Sequence, residues 1–237
     1  MTDAVVRQHH EAQRAYFQSA DQPTMIPEKT PYVRRHFREL VEGAALTPGA
    51  RVLEIGSGLG RFTHLLDEHG FRVVGTDISP GQIEALKRRF PHIETIVGAA
   101  DELPIPASPF DAVVGFFMLH HLPDLPAAFR RCADLLRPGG VVAFCEPNAW
   151  YLPFYLQVLL TPRMRWSVER GIRNMRRGVL EPALTAAGFR DVSFRYYGWL
   201  PPALYNLAVG RALESAVDAL PLPGAARAFV LVTARRA

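Results

Sequence analysis

From residue 51 onward, short apolar runs alternate with stretches whose apolar positions recur three and four residues apart. Runs of this kind suit strands and the intervening spacing suits amphipathic helices, so the pattern predicts repeated βα units around a parallel sheet. The expected strands are residues 51–55, 72–76, 93–97, 111–116, 141–145, 192–197 and 228–233. Helices are expected over 60–69, 80–90, 124–136 and 181–187, the last ended by Gly188. All the strands read as near-continuous apolar runs, as strands covered on both faces should. Arg137-Pro138-Gly139-Gly140 reads as a tight turn into the fifth strand.

The alternation is framed and interrupted. Residues 5–45 read as two polar helices carrying Tyr16, Phe17, Tyr32 and Phe37, broken apart by Pro23 and Pro27. Residues 147–178 are aromatic and apolar, then arginine-rich. An amphipathic helix over 203–219 lies between Pro201-Pro202 and Pro221 and Pro223. The expected fold is one doubly wound α/β domain over 1–237, with seven mostly parallel strands. Residues 1–45 form a helical cap and 147–178 a helical lid inserted after the fifth strand.

Composition narrows this further. Hydrophobic residues make up 49% of the chain, enough for a sizeable core. Two cysteines, Cys132 and Cys145, exclude a disulfide framework and suit a reducing cytoplasm. No histidine stands in a metal-binding motif, so no metal is expected. The amino-terminal residues 1–10 lack the apolar stretch of a secretory signal, and the longest apolar segment, 149–160, is too short to span a bilayer. The net charge of +4 comes almost wholly from arginine, with only Lys29 and Lys87 as lysines. It is not gathered into a basic face with aromatic platforms, so nucleic acid is not an expected partner.

Chemistry enters at Glu54-Ile55-Gly56-Ser57-Gly58-Leu59-Gly60, between a strand and a helix. Glycines there let the backbone turn tightly against a ligand. A dinucleotide fingerprint would require glycine at position 61, which is Arg61. Asp77, in Gly75-Thr76-Asp77-Ile78-Ser79, ends the second strand, where a carboxylate can accept both ribose hydroxyls; its other reading is a helix N-cap. Asp101-Glu102-Leu103-Pro104-Ile105-Pro106 follows the third strand, Phe110-Asp111 opens the fourth, and Leu136 to Gly140 precedes the fifth.

In this order, these pieces resemble the class I S-adenosylmethionine-dependent methyltransferases, closely over 45–146 and loosely over 178–237. The resemblance implies S-adenosylmethionine as cofactor. Glu54 would answer its cationic end while Gly56, Ser57, Gly58 and Gly60 wrap its amino-acid tail. Asp77 would hold the ribose, Ile78 and Ala100 would face the adenine, and Asp101 or Glu102 would take the adenine amino group. Phe116 and Phe117 would close the fourth-strand side.

Methyl transfer from a sulfonium rests mainly on alignment, and a base matters only if the acceptor must lose a proton. His120 and His121 are the candidates, following the fourth strand; either could instead pack on the cofactor or cap the next helix. The pair resembles the ubiquinone/menaquinone-biosynthesis and natural-product branch. Glu146 and Asn148 follow the fifth strand and are expected at the acceptor, or else in loop hydrogen bonds. Tyr16, Phe17, Tyr32, Tyr151 and Tyr155, with Trp150 and Phe154, would favour a hydrophobic acceptor: aromatic, polyketide-like or lipid-like. Arg163, Arg165, Arg170, Arg173, Arg176 and Arg177, opposed only by Glu169, read as a solvated face, an anion site or a peripheral contact with anionic lipid. A nicotinamide-dependent oxidoreductase and a catalytically silent cofactor-binding protein are the alternatives; no Tyr-x-x-x-Lys pair supports the first. Neither the acceptor atom nor the oligomeric state follows from the sequence.

Overall fold

The computed structural model describes residues 3–18, 26–161 and 164–237. Pro23 and Arg163 lie outside the described residues, as does part of the cap and of the lid. Seven strands form one sheet in the order β3-β2-β1-β4-β5-β7-β6. They are β1 (Arg51–Ile55), β2 (Arg72–Asp77), β3 (Glu94–Val97), β4 (Phe110–Phe116), β5 (Leu136–Pro147), β6 (Phe189–Tyr197) and β7 (Phe229–Arg236). β1 to β5 pair in parallel, and β7 runs antiparallel between β5 and β6.

α1 (Asp3–Phe17) and α2 (Pro31–Gly43) precede the sheet; α3 (Thr63–Glu68), α4 (Pro80–Arg89) and α5 (Leu125–Leu135) are the crossovers between its first strands. Two hydrophobic clusters cover the two faces, one around Leu53, Phe129 and Phe144 and the other around Val52, Leu65 and Val114. Successive residues of β1 thus point to opposite cores, which is why the strand reads as continuously apolar.

The expectation of apolar runs throughout fails at the two edges. β3 is exposed at both ends, and β6 is buried only at its two end residues and alternates half-buried and exposed positions between them; both are edge strands of the sheet. Arg137 to Gly140 is not a turn outside the strand but part of β5. The register slips between Phe110 and Ala112, and Gly139 takes a φ of +72°, so the bend is absorbed as a bulge.

The first insertion holds α6 (Leu152–Leu160) and the short α7 (Trp166–Glu169). α8 (Arg177–Ala186) starts earlier than the expected 181, and the single helix expected over 203–219 divides into α9 (Pro202–Tyr205) and α10 (Ala208–Asp218). Gly210 explains the second break: its Cα packs so closely on the Leu204 carbonyl that a Cβ would lie 1.9 Å from that oxygen. Buried ion pairs tie α10 to the cap. Arg35 of α2 meets Glu214 at 2.5 Å and also pairs with Asp218. Glu214 in turn accepts from the Trp199 and Leu200 amides at 2.8 and 2.7 Å, fixing the chain that enters this second insertion.

Candidate active site

A cavity of about 1500 Å³ opens beyond the carboxyl ends of β1, β2 and β4. The strand order reverses between β1 and β4, the place where open α/β sheets leave a crevice. The volume exceeds the roughly 300–1,000 Å³ of a pocket for one ligand, so two molecules fit side by side.

The glycine turn forms one wall. Gly56 has a φ of +73°, and a Cβ there would lie 2.7 Å from that of Met118, so the backbone reaches the cavity only because no side chain intervenes. Asp77 is pinned beside it: Oδ2 accepts from the Gly58 amide at 3.0 Å and Oδ1 from the Ser79 amide at 2.9 Å. Burial raises the Asp77 pKa, while the amides of Ser79, Gly58 and Ile78 pull against it. The N-cap of α4 is Ser79, not Asp77. Ser57, Gly58, Asp77, Ile78, Ala100, Phe116 and Phe117 all line the cavity.

Four other expected cofactor residues do not reach it. Gly60 lies where a Cβ would touch Leu86 and Phe90 at 3.3 Å, so it serves close packing of the turn on α4. Asp101 pairs with His10 of α1 at 3.4 Å, and Glu102 is exposed. Glu54 is buried just outside the cavity wall; its Oε2 has no hydrogen-bond partner among the described residues, and neither has Ser57 Oγ. Burial pushes the Glu54 pKa up to about 7, the Thr63 hydroxyl pulls it down and Asp77 pushes it up. A buried carboxyl with one unpartnered oxygen, behind a Cβ-free backbone cradle and near a fixed carboxylate, fits a ligand that carries an ammonium and a ribose, as S-adenosylmethionine does.

The two histidines sit in a 3-10 turn after β4 and have opposite character. Glu146 anchors the turn: Oε1 accepts from the Met118 and Leu119 amides at 2.9 and 2.7 Å, and Oε2 meets His120 Nδ1 at 2.5 Å. His120 Nε2 faces Glu169 of α7 at 3.3 Å. Burial alone would lower the His120 pKa, but the two carboxylates outweigh it and push it up to about 9. His120 is therefore a cation held between acids. His121 is neutral: burial and the charge of His120 lower its pKa well below the usual imidazole range. Its Nδ1 lies 3.4 Å from the Val168 carbonyl, and the edge of Phe17 packs on its ring. Ligand atoms of His120, His121 and Glu169 lie within 4.8 Å of one another, and both ring nitrogens of His120 are already engaged, Nδ1 by Glu146 and Nε2 by Glu169.

Tyr16, Phe17, Tyr32 and Tyr151 also line the cavity, as do Phe154, Leu156 and Leu160 of α6, with Glu28, Arg61, Arg165 and Glu169 as charged members of the same lining. The Phe17 carbonyl accepts from Gln82 Nε2 at 2.7 Å, so α1 is docked on α4 over the cofactor end. Tyr151 Oη donates to the Trp199 carbonyl at 2.7 Å and joins the two insertions. Glu146, Asn148 and Tyr155 do not line the cavity. Asn148 is fully buried; its amide donates to the Gly224 and Arg227 carbonyls at 2.8 and 2.7 Å, and its oxygen accepts from the Trp150 amide. Tyr155 Oη donates to the Ala149 carbonyl. Glu169 was not singled out as a site residue from the sequence, although it is the one acid between residues 161 and 180.

A doubly wound sheet with a glycine turn, an acidic end to β2 and a two-compartment cavity defines a nucleotide-type ligand fold. The chain belongs to the methyltransferase-domain family, whose model matches residues 30–193. It is 34% identical over 132 residues to the demethylmenaquinone methyltransferase of Beutenbergia cavernae, covering 53% of this chain and 55% of that protein. It is 31% identical over 97 residues to the malonyl-acyl-carrier-protein O-methyltransferase of Serratia marcescens, covering 41% of this chain and 38% of that protein. The chain thus spans about half the length of the curated relatives it matches. A solved S-adenosylmethionine-dependent methyltransferase from Archaeoglobus fulgidus shares the fold, with a TM-score of 0.63 at 21% identity, over 86% of this chain and 94% of that one.

Proposed function

We propose that this chain is an S-adenosylmethionine-dependent methyltransferase acting on a small hydrophobic acceptor. The observation that carries the reading is one cavity whose lining joins a backbone-and-carboxylate wall, Gly56 to Gly58 with Asp77, to many aromatic and aliphatic side chains, among them Phe117, Tyr151, Phe154 and Leu156. S-adenosylmethionine, when bound, supplies an activated methyl group for direct displacement. Asp77 holds the ribose and the Gly56–Gly58 backbone takes the amino-acid tail, while Glu54, buried behind that backbone, favours its positive charge through space without touching it. The lid aromatics hold the acceptor and exclude water, so that alignment supplies much of the rate. Where the acceptor loses a proton, His121 is the candidate base, since it lines the cavity and has no carboxylate partner among the described residues as His120 does, although burial and the neighbouring His120 charge make it a weak one. Glu146 and Glu169 act through His120 as positioning residues.

The relatives' names point to unlike acceptors, a demethylmenaquinone and a malonyl-acyl-carrier protein. The aromatic lining here favours a planar, quinone-like ring or a comparable aromatic or polyketide-like compound. Contact with a membrane surface belongs to the same reading. The test is transfer of labelled methyl into a metabolite extract, followed by partition between water and organic solvent. Product label in the organic phase supports a hydrophobic acceptor. Product label confined to the aqueous phase sinks that acceptor class, and no transfer to any acceptor despite tight cofactor binding points to a silent binding protein.

A further inference from the structure

Around the cavity mouth, the surface is apolar to a degree that scattered surface residues do not explain. Of the nine residues of α6, only Val158 is buried. Leu152 and Leu159 are each 76% exposed, and Val209 of α10 is 73% exposed. Trp150, Trp166 and Trp199 are also exposed, as are Leu204, Leu207 and Leu213 of the second insertion. The two insertions are joined by the Tyr151–Trp199 hydrogen bond, and they meet at the mouth. Leu156, Leu160 and Trp199 belong to the cavity wall and to the exposed surface at once. The greasy face and the acceptor end of the cavity are therefore one continuous surface.

Cations flank this face. Arg165, Arg170, Arg173 and Arg176 are exposed, and none is in an ion pair among the described residues; Arg177, also exposed, lies over the Phe194 ring of β6 at 4.9 Å. Arg173 and Arg176 lie close enough to α6 to act electrostatically on the Tyr155 phenol. Exposed leucines beside unpaired arginines, with tryptophans among them, complement an anionic lipid surface: acyl chains take the leucines, headgroup phosphates the guanidinium groups, and the boundary suits the indoles. A second copy of the chain fits less well. A symmetric contact through this face would set arginine against arginine and close the mouth.

We propose that this face docks on an anionic membrane, with α6 and the α9–α10 segment in the headgroup region and the cavity mouth facing the bilayer. A hydrophobic acceptor then enters from lipid without crossing water. The inference rests on the hydrophobic-acceptor reading above.

The test is co-sedimentation of the full chain with vesicles of equimolar phosphatidylglycerol and phosphatidylcholine, or of phosphatidylcholine alone. The expected result is sedimentation with the anionic vesicles, weakened roughly tenfold on neutral vesicles or in about 0.5 M salt. Leu152→Glu with Leu159→Glu, neither in the cavity wall, should abolish sedimentation while transfer to a detergent-dispersed acceptor continues. Arg173→Glu with Arg176→Glu should lose only the preference for anionic lipid. Wild-type protein that stays in the supernatant with both vesicles overturns the proposal. So does a lipid-free dimer that the double leucine variant dissociates, since the occupant is then a second copy. Transfer to hydrophobic acceptors without vesicle binding sinks the docking alone; vesicle binding with transfer only to polar acceptors sinks the reading on which it rests.

Discussion

The two ends of the cavity are built in different ways. At the cofactor end, backbone and short side chains from the ends of β1 and β2 lie within a few residues of a sheet buried on both faces, and Asp77 is fixed by two amides. Elsewhere in the cavity the side chains come from α1, α2, the turn after β4 and both insertions, tied by single long-range hydrogen bonds such as Tyr151 to the Trp199 carbonyl and the Tyr32 amide to Asn206. Position at the first end follows from the pleat and hydrogen bonding of adjacent strands. At the second it depends on long-range pairs such as His120–Glu169 and Arg35–Glu214. A wall fixed by the sheet thus sits against one whose shape depends on how the insertions settle.

The comparison can be broken from either side. The largest effect is expected from Asp77→Ala, which removes charge-assisted hydrogen bonds worth about 1.5–3 kcal/mol and should weaken cofactor binding roughly 10–150-fold by calorimetry. An unchanged affinity would mean that the ribose is held elsewhere.

Glu169→Gln should lower kcat/KM for the acceptor roughly tenfold and leave cofactor affinity unchanged. Its pH dependence is the sharper readout. The His120 pKa is raised, so the pairing between lid and turn is at full strength below about pH 6.5, the unperturbed value, and is lost as pH rises through about 9. In the variant this alkaline loss should begin at lower pH. An identical pH profile would confine Glu169 to packing.

A smaller effect is expected at Glu54. Its raised pKa means that ionisation costs the free protein stability as pH rises through about 7. A cationic ligand favours the ionised form, so cofactor affinity should rise between about pH 5 and 7 by at most tenfold per unit, then level off. Glu54→Gln should flatten this slope; a slope that persists would place the responsible group elsewhere. Tyr155→Phe should have the smallest effect, about 1 kcal/mol of stability from one lost hydrogen bond, with the acceptor KM unchanged. A KM raised severalfold would show that Tyr155 reaches the acceptor after all.

The sequence alone determined the βα alternation, the seven strands and the ligand-binding edge, because strand periodicity, glycine turns and strand-end carboxylates are local properties of the chain. It placed Gly56, Gly58 and Asp77 for the same reason. It did not determine what the acidic and aromatic residues of the insertions face. Asn148 and Tyr155 look like acceptor ligands in the sequence and are hydrogen-bonded to nearby loop carbonyls in the fold. His120 and His121 are adjacent and chemically identical in the sequence. Glu146, on the neighbouring strand, and Glu169, brought back by the lid, make one a cation, while burial keeps the other neutral. Charge state depends on neighbours in space and on lost solvent, and only the tertiary structure supplies either.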